Sequence, residues 1–242
     1  APPGSGRTTT MYTLMEEADT TLRIAFSVEN RIGRAISGVS QMEVGGGAAD
    51  NQAALIGTAL QQTPDMLFID ELTDPESMKM ALRAARELLV IAVIPGGDLG
   101  RVLSRFPELG ISPAALARVL LLLLSQRLVR KLCSCRQKGR LTPEIQDYFQ
   151  QAHLSDANVC LPAGCRKCNG TGYDGVLPVF DLVQVSDHLR DLLDADGVPI
   201  SMVRQELERE HGSSMLVYRG FQLVSTGQTS EDEVRRAILT QE

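Results

Sequence analysis

Along this chain, apolar positions recur in two rhythms, a helical spacing and short continuous runs, and through roughly residue 95 the two take turns. Met11, Leu14 and Met15 lie at helical spacing and predict a helix from Thr8 to about Asp19, followed by a short strand, Leu22–Val28. The glycine-rich loop Gly45-Gly46-Gly47 leads to a helix around Asn51–Gln62, the apolar strand Met66–Ile69, a helix around Pro75–Arg86 and a second apolar strand, Leu88–Ile94. Pro95-Gly96-Gly97 breaks the pattern before a helix around Leu99–Phe106. Helices alternating with apolar strands predict an α/β fold with a mostly parallel sheet. A further helix is expected to begin at Ser112-Pro113, with Pro early in its first turn, and to run through Arg130. From Asp187 the pattern is helical again over Asp187–Ala195, Pro199–Glu210 and Ser230–Leu239. Ser230 and Glu233 form a capping box ahead of Val234 and Ile238. No internal repeat or long low-complexity tract interrupts this order.

A length of 242 residues fits one or two domains, and a 43% hydrophobic fraction without Trp implies an aliphatic core. The formal charge of −6 argues against a general nucleic-acid-binding surface. The densest apolar run, Val119–Leu124, is far too short to span a membrane. All five cysteines (133, 135, 160, 165 and 168) fall in one 36-residue stretch. Beside a nucleotide-binding pattern they read as a metal knuckle of the cytosol rather than as disulfides.

That nucleotide-binding pattern opens the chain. In Ala1-Pro2-Pro3-Gly4-Ser5-Gly6-Arg7-Thr8-Thr9-Thr10, a phosphate-binding loop is present with Ala1 at the first Gly position and Arg7 at the Lys position. Successive N–H groups and the helix behind them favour an anion, Gly4 and Gly6 supply the backbone freedom, and Thr8 is placed to put its hydroxyl on Mg²⁺. Arg keeps the charge but is a longer planar fork, so phosphate affinity survives more readily than transition-state geometry. The residues alone leave a plainer reading open, a Gly/Ser/Thr-rich turn capping an amphipathic helix. Such loops normally follow a buried strand, which is expected upstream of Ala1. Pro64-Asp65 leads through Met66–Ile69 to Asp70-Glu71, a Walker B strand delivering Asp70 to the metal and Glu71 to the attacking water.

Cys133-Ser-Cys135 and Cys165-Arg-Lys-Cys168 supply four thiolates for a closed tetrahedral Zn²⁺ site, with Cys160 an alternative ligand and reduced thiols or a disulfide the competing readings. His153, His188 and His211 are scattered and read as surface residues. Arg127, Arg130, Lys131, Arg136, Lys138 and Arg140 read as a solvated helix face, or as one meeting an acidic partner or a neighbouring subunit's nucleotide.

The order of motifs resembles the C-terminal ATPase domain of the type II secretion and type IV pilus assembly motors. The resemblance rests on Gly4-Ser-Gly6-Arg-Thr-Thr-Thr10, Pro64-Asp65 with its acidic strand end, Ser125-Gln-Arg-Leu-Val-Arg-Lys-Leu-Cys133 and Gly164-Cys-Arg-Lys-Cys-Asn-Gly-Thr-Gly-Tyr173. It covers essentially the whole chain. It implies a RecA-like core over 1–130, a tetracysteine zinc-binding insertion over 131–178 and a helical C-terminal part over 179–242. It also implies ATP or ADP with Mg²⁺ and a hexameric ring, either of identical subunits or shared with an intact paralogue. The partner so implied is an inner-membrane platform protein, and the location the cytoplasmic face of that membrane. Gly4, Ser5, Gly6, Arg7, Thr8, Thr9, Glu29 and Asp70 match the nucleotide-binding positions, Glu71 the catalytic one, and Cys133, Cys135, Cys165 and Cys168 the metal ligands.

Against the family pattern, Arg7 replaces Lys, Asn30 replaces an Asp, the paired arginines fall at Gly57 and Gln61, Asp70 takes the place of a Gly, and the histidine-box His falls at Pro95. Several departures touch one site, so the expectation is nucleotide binding with weak or absent hydrolysis, in pseudopilus or pilus assembly. A rewired active motor and a zinc-stabilised non-catalytic adaptor remain the alternatives.

Overall fold

The structure, a computed structural model, describes residues 2–45, 51–96, 99–195, 198–211 and 215–239. Ala1, Gly46, Gly47 and Gly97 of the motifs above lie outside the described residues, as does the side chain of His211. The chain forms two compact units, neither contiguous in sequence. The first comprises 1–3, 7–123 and 184–207, and the second 4–6, 124–183 and 208–242.

In the first unit, α1 (Arg7–Glu17), β1 (Ala25–Glu29), β2 (Val39–Glu43), α2 (Gln52–Leu60), β3 (Met66–Ile69), α3 (Pro75–Ala84) and β4 (Leu89–Ala92) follow in order. Every pairing in the sheet, of order β2-β1-β3-β4, is parallel. The predicted αβαβ rhythm is therefore this unit's architecture, with β2 as a strand that the sequence pattern did not announce. Its burial alternates only weakly, so a short edge strand carries little signal. β3 is buried on both faces, as its unbroken apolar run requires in a parallel sheet. Met66 and Phe68 pack with Met11, Tyr12 and Met15 of α1, while Leu67 and Ile69 point to the opposite face. The buried stripe of α1 is thus Met11, Tyr12 and Met15. Leu14 is 40% exposed, which corrects the expected stripe.

Two starts are set by side-chain caps. Asn51 Oδ1 accepts from Ala54 N at 2.8 Å and Asp74 Oδ1 from Ser77 N at 2.8 Å, the latter with Pro75 in the first turn. After α4 (Leu99–Glu108), α5 is short, Pro113–Ala117, and the predicted helix through Arg130 is not formed. Residues Leu122–Leu132 are instead strand β5. Arg190, on α7 (Asp187–Asp194), donates to the carbonyls of Ala117 and Leu120 and so satisfies the groups exposed where α5 ends. β5 pairs with β8 (Tyr173–Gln184), some fifty residues on, and that pairing overrides the helical propensity of the Leu- and Arg-rich run. Val185 N donates to Leu121 O at one end and Cys133 N to Gly172 O at the other, so the ribbon is antiparallel.

The second unit adds α6 (Pro143–Gln151), a minimal hairpin of β6 (Gln137–Lys138) and β7 (Cys160–Leu161), α9 (Met215–Ser225) and α10 (Glu231–Val234). α8 (Ile200–His211) precedes α9, and α10 runs into a π-helical turn, Arg235–Leu239. Its core joins Val129 of β5 and Val179 of β8 to Ile145, Phe149, Phe221, Val224, Val234 and Ile238. The Phe149 and Phe221 rings meet edge-on at 5.7 Å.

Ser230 Oγ accepts from Glu233 N at 3.2 Å, as the capping box predicts, but the Glu233 carboxylate turns elsewhere. It accepts from Arg130 N and Arg130 Nε, each at 2.8 Å, and from Arg236 Nη2 at 2.6 Å, with no exposed side-chain surface. Burial opposes its charge, yet these donors hold its pKa down at about 2. A depressed carboxylate stabilises the fold above its unfolded value of 4.5 and loses that contribution as pH falls through about 2. Acid titration of stability should therefore show a loss between those values that Glu233→Gln abolishes. At neutral pH the same substitution should cost about 1–3 kcal/mol, because it removes charge-assisted acceptors from Arg130 and Arg236, whose guanidiniums remain partly solvated. Chemical denaturation at a series of pH values checks both.

Candidate functional site

The carboxyl ends of parallel strands are where such sheets place ligands, and here β1 ends at Glu29 and β3 runs into Asp70-Glu71. Asp70 N donates to Val28 O at 2.9 Å, keeping the two strand ends together. Asp70 is half-buried. Burial, then the charges of Glu71 and Glu29, raise its pKa, against the opposing pull of Arg7. The structure thus gathers Glu29, Asp70 and Glu71 with Arg7.

Glu71 adopts the left-handed conformation, φ 47°, an uncommon state for a residue with a long side chain. Arg7 Nη2 lies 3.3 Å from Glu71 Oε1. The cation at the Lys position and the carboxylate expected to orient water are therefore ion-paired with one another. Arg7 is mostly shielded, while Glu71 keeps 37% of its side chain exposed.

Glu29 sits in a different setting, only 1% exposed. Its carboxylate accepts from Tyr12 Oη at 2.6 Å, Ser27 Oγ at 2.6 Å and Gln41 Nε2 at 2.8 Å. Tyr12 Oη in turn accepts from Gly33 N at 2.7 Å, fastening the loop after β1 to α1. Burial, followed by the hydrogen bond to Glu29, raises the Tyr12 pKa. These partners carried no motif, and only the fold brings them together. Tyr12→Phe should cost about 1–3 kcal/mol, because it deletes one donor from a buried carboxylate. Leu14→Ala on the exposed face should cost about 0.5 kcal/mol or less. Urea midpoints of the two variants provide the comparison.

In the loop itself, Gly4 has φ 73° and Gly6 φ 88°, and α1 begins at Arg7, so the loop feeds a helix N-terminus as phosphate binding requires. Gly57 and Gln61 lie four residues apart at the end of α2, where the resemblance expects arginines. Pro95 O accepts from Arg105 Nη1 at 2.9 Å in the segment expected to hold a histidine. The Asn30 N–H hydrogen-bonds the Asp70 carboxylate.

Cys133, Cys135, Cys165 and Cys168 converge, with all four Sγ atoms within 4.8 Å of one another. Individual separations are 3.9 Å (133–165), 3.9 Å (135–168) and 3.8 Å (165–168). A tetrahedron with Zn–S bonds of about 2.3 Å has S···S edges of about 3.8 Å, so the donor set fits that ion. Cys160 lies outside the cluster, its thiol directed to Asn158 O at 3.3 Å, which removes it as a substitute ligand. Cys168 Sγ accepts from Cys165 N at 3.1 Å and Gly172 N at 3.2 Å. Burial raises the Cys168 pKa, but those N–H groups outweigh it and bring the thiol to about 6. Burial pushes Cys135 up to about 11.

The expected basic helix face does not exist. Arg127 is buried in β5, and Arg130 stacks over the Tyr173 ring at 4.1 Å while pairing with Glu233. Arg127, Arg130 and Lys131 lie in β5, where alternation sends Arg130 to the face opposite Arg127 and Lys131, while Lys138 is in β6 and Arg136 and Arg140 lie in loops. His153 and His188 are exposed, the latter 3.2 Å from Glu206.

Residues 1–236 match the family described as "Type II/IV secretion system protein". This chain belongs to that family. It is 31% identical over 237 residues to the type II secretion system protein E of Aeromonas hydrophila, covering 97% of this chain and 47% of that protein. It is 30% identical over 237 residues to the type IV pilus assembly ATPase PilB of Thermus thermophilus, covering 96% of this chain and 26% of that one. The chain therefore spans about half the length of one relative and a quarter of the other. Among solved structures, the pilus retraction motor PilT with bound ADP superposes with a TM-score of 0.67 at 19% identity, over 98% of this chain and 59% of that one. The Legionella pneumophila ATPase DotB gives 0.65 at 16% identity, over 98% and 57%. At such identities the likeness carries the fold alone, an α/β fold with a parallel sheet. Among the described residues no helix is long and apolar enough to cross a membrane.

Proposed function

We propose that this chain is the motor domain of a secretion or pilus assembly protein that binds adenine nucleotide with Mg²⁺ and hydrolyses it slowly or not at all. The observation that carries the reading is the 3.3 Å contact between Arg7 and Glu71. A carboxylate that activates water must have its oxygen free to face that water, and here Glu71 Oε1 is taken up by the Arg7 guanidinium. Ion-paired to Arg7, Glu71 is held away from the position a water-orienting carboxylate needs. Arg7, so engaged, is also a planar fork where a compact ammonium would reach the β/γ-phosphates. Asn30, Gly57, Gln61 and Pro95 stand where the family pattern has charged or titratable side chains.

Nucleotide binding rests on the loop as a whole. Gly4, Ser5, Gly6, Arg7, Thr8 and Thr9 cradle the phosphates, with the Thr8 hydroxyl and Asp70 on the metal side. Glu29, its oxygens satisfied by three protein donors, adds charge rather than a ligand. Bound Mg²⁺ neutralises phosphate charge. Cys133, Cys135, Cys165 and Cys168 would hold Zn²⁺, which would supply a crosslink at the end of the β5–β8 ribbon.

In the cell the domain acts in pseudopilus or pilus assembly, in a hexameric ring of its own kind or with an intact paralogue. It works against an inner-membrane platform protein on the cytoplasmic side. The names of its relatives, a type II secretion protein E and a type IV pilus assembly ATPase, support that setting. Calorimetry with ADP and ATP, paired with phosphate release, tests the reading. Binding with little release is expected, no binding favours a non-catalytic adaptor, and brisk release favours a working motor.

A further inference from the structure

The phosphate-binding loop has a protein partner outside every nucleotide motif. Gln126, in the middle of β5, donates its side-chain amide Nε2 to Ser5 O at 2.7 Å, across 121 positions of sequence. Both residues are only 4% exposed. Leu128, two positions on and so on the same side of the strand, backs the same loop. A Cβ built at Gly6 would stand 3.1 Å from Gln126 Nε2 and 3.6 Å from the Leu128 methyl carbons. β5 thus presents one donor and one apolar wall to the Ser5–Gly6 peptide, and the absence of a side chain at Gly6 lets them come this close.

We infer that Gln126 is a positioning residue of the phosphate-binding loop, holding the Ser5–Gly6 peptide so that the Gly6 N–H is aimed at an anion. The reason is the geometry of one planar trans unit. The carbonyl of Ser5 and the N–H of Gly6 belong to the same peptide and point in opposite directions. With the carbonyl tied to β5, the N–H faces away from the strand. Gly6, at φ 88°, has no side chain to bias its backbone, so the peptide would otherwise reorient freely. An anion nest works only when its N–H groups are already convergent, since reorientation at the moment of binding subtracts from affinity. Gln126 touches neither phosphate nor metal in this account and acts through the peptide. The inference rests on the proposed nucleotide binding.

Three substitutions in the full-length protein separate the roles. Gln126→Leu keeps bulk without a donor, and Gln126→Glu keeps shape but offers an acceptor to a carbonyl. Gln126→His returns an N–H near the place of the amide nitrogen. Mg²⁺·ADP affinity is expected to fall about tenfold for Leu and further for Glu, and to stay within about threefold for His. Amide exchange over residues 4–10 in the nucleotide-free protein should accelerate in the same order. If the Leu variant does not fold, the Glu and His pair carries the comparison. Equal affinity and equal exchange across the series overturn the inference. If the unaltered protein binds no ADP, the nucleotide reading fails on its own, and the exchange series alone decides whether Gln126 holds the loop.

Discussion

With saturating ATP and Mg²⁺, the full-length protein is expected to release phosphate at less than about 0.1 s⁻¹, a hundredfold or more below the ordinary enzyme median of about 10 s⁻¹. Glu71→Gln should change that rate less than about twofold, because a base already paired with Arg7 contributes little to remove. Losing one preorganised charge-stabilising group commonly costs a factor of about 10²–10³ in turnover. By the family resemblance, the Lys position, the paired arginines and the histidine position all carry other residues here. Such effects are not additive, so the product of the individual factors overstates the deficit, but one loss alone suffices for the expected rate. Arg7→Lys, which releases Glu71 yet restores nothing at Gly57, Gln61 or Pro95, should gain less than about tenfold. A wild-type rate near one per second that Glu71→Gln abolishes would establish a working motor instead.

Removal of zinc should have the largest effect on structure. Purified protein is expected to carry about one zinc per chain, and a strong chelator, or Cys168→Ser, should unfold the second unit around the cysteine cluster. Structural zinc sites contribute roughly 10–16 kcal/mol of apparent binding free energy at neutral pH, comparable with or larger than a domain's whole stability of about 5–15 kcal/mol. The β6–β7 hairpin has two residues per strand and cannot stand alone. Gly172 bonds both Cys168 Sγ and Cys133 N, so the cluster is also the end of the β5–β8 ribbon. Circular dichroism before and after chelation, with metal analysis of the same sample, reads both quantities. Less than about a quarter of an equivalent of zinc, together with an unchanged spectrum on chelation, would remove the metal from the account.

The reach of the sequence can be judged element by element. α1, α2, β3, α3, β4 and α7 were legible because each combines a local period with a local stop, such as Asn51, Asp74 or the Pro95 break. The cysteine cluster was legible too. Four thiols in two close pairs suit few arrangements, and the structure assembles those four while leaving Cys160 aside. The long strand β5 was misread as helix. Leu, Arg and Lys favour helices locally, and nothing within the segment announces that its partner is β8. α9 and β2 escaped for related reasons, the one apolar on several sides and the other a short edge.

The same division runs through the sites. Gly4, Gly6, Asp70, Glu71 and the four cysteines declare their chemistry by type and spacing, because backbone freedom, carboxylates at a strand end and paired thiolates are properties of a few neighbouring residues. Their state does not follow from that inventory. That Arg7 clasps Glu71, that Tyr12, Ser27 and Gln41 saturate Glu29, and that Gln126 ties down Ser5 are contacts between residues up to 121 positions apart. A side chain's charge and shape are written locally, but its partner is chosen by strand pairing and packing, which depend on the whole chain. Spacing therefore singled out a phosphate-loop pattern and a cluster of four cysteines, whereas the folded arrangement determined which groups are already engaged.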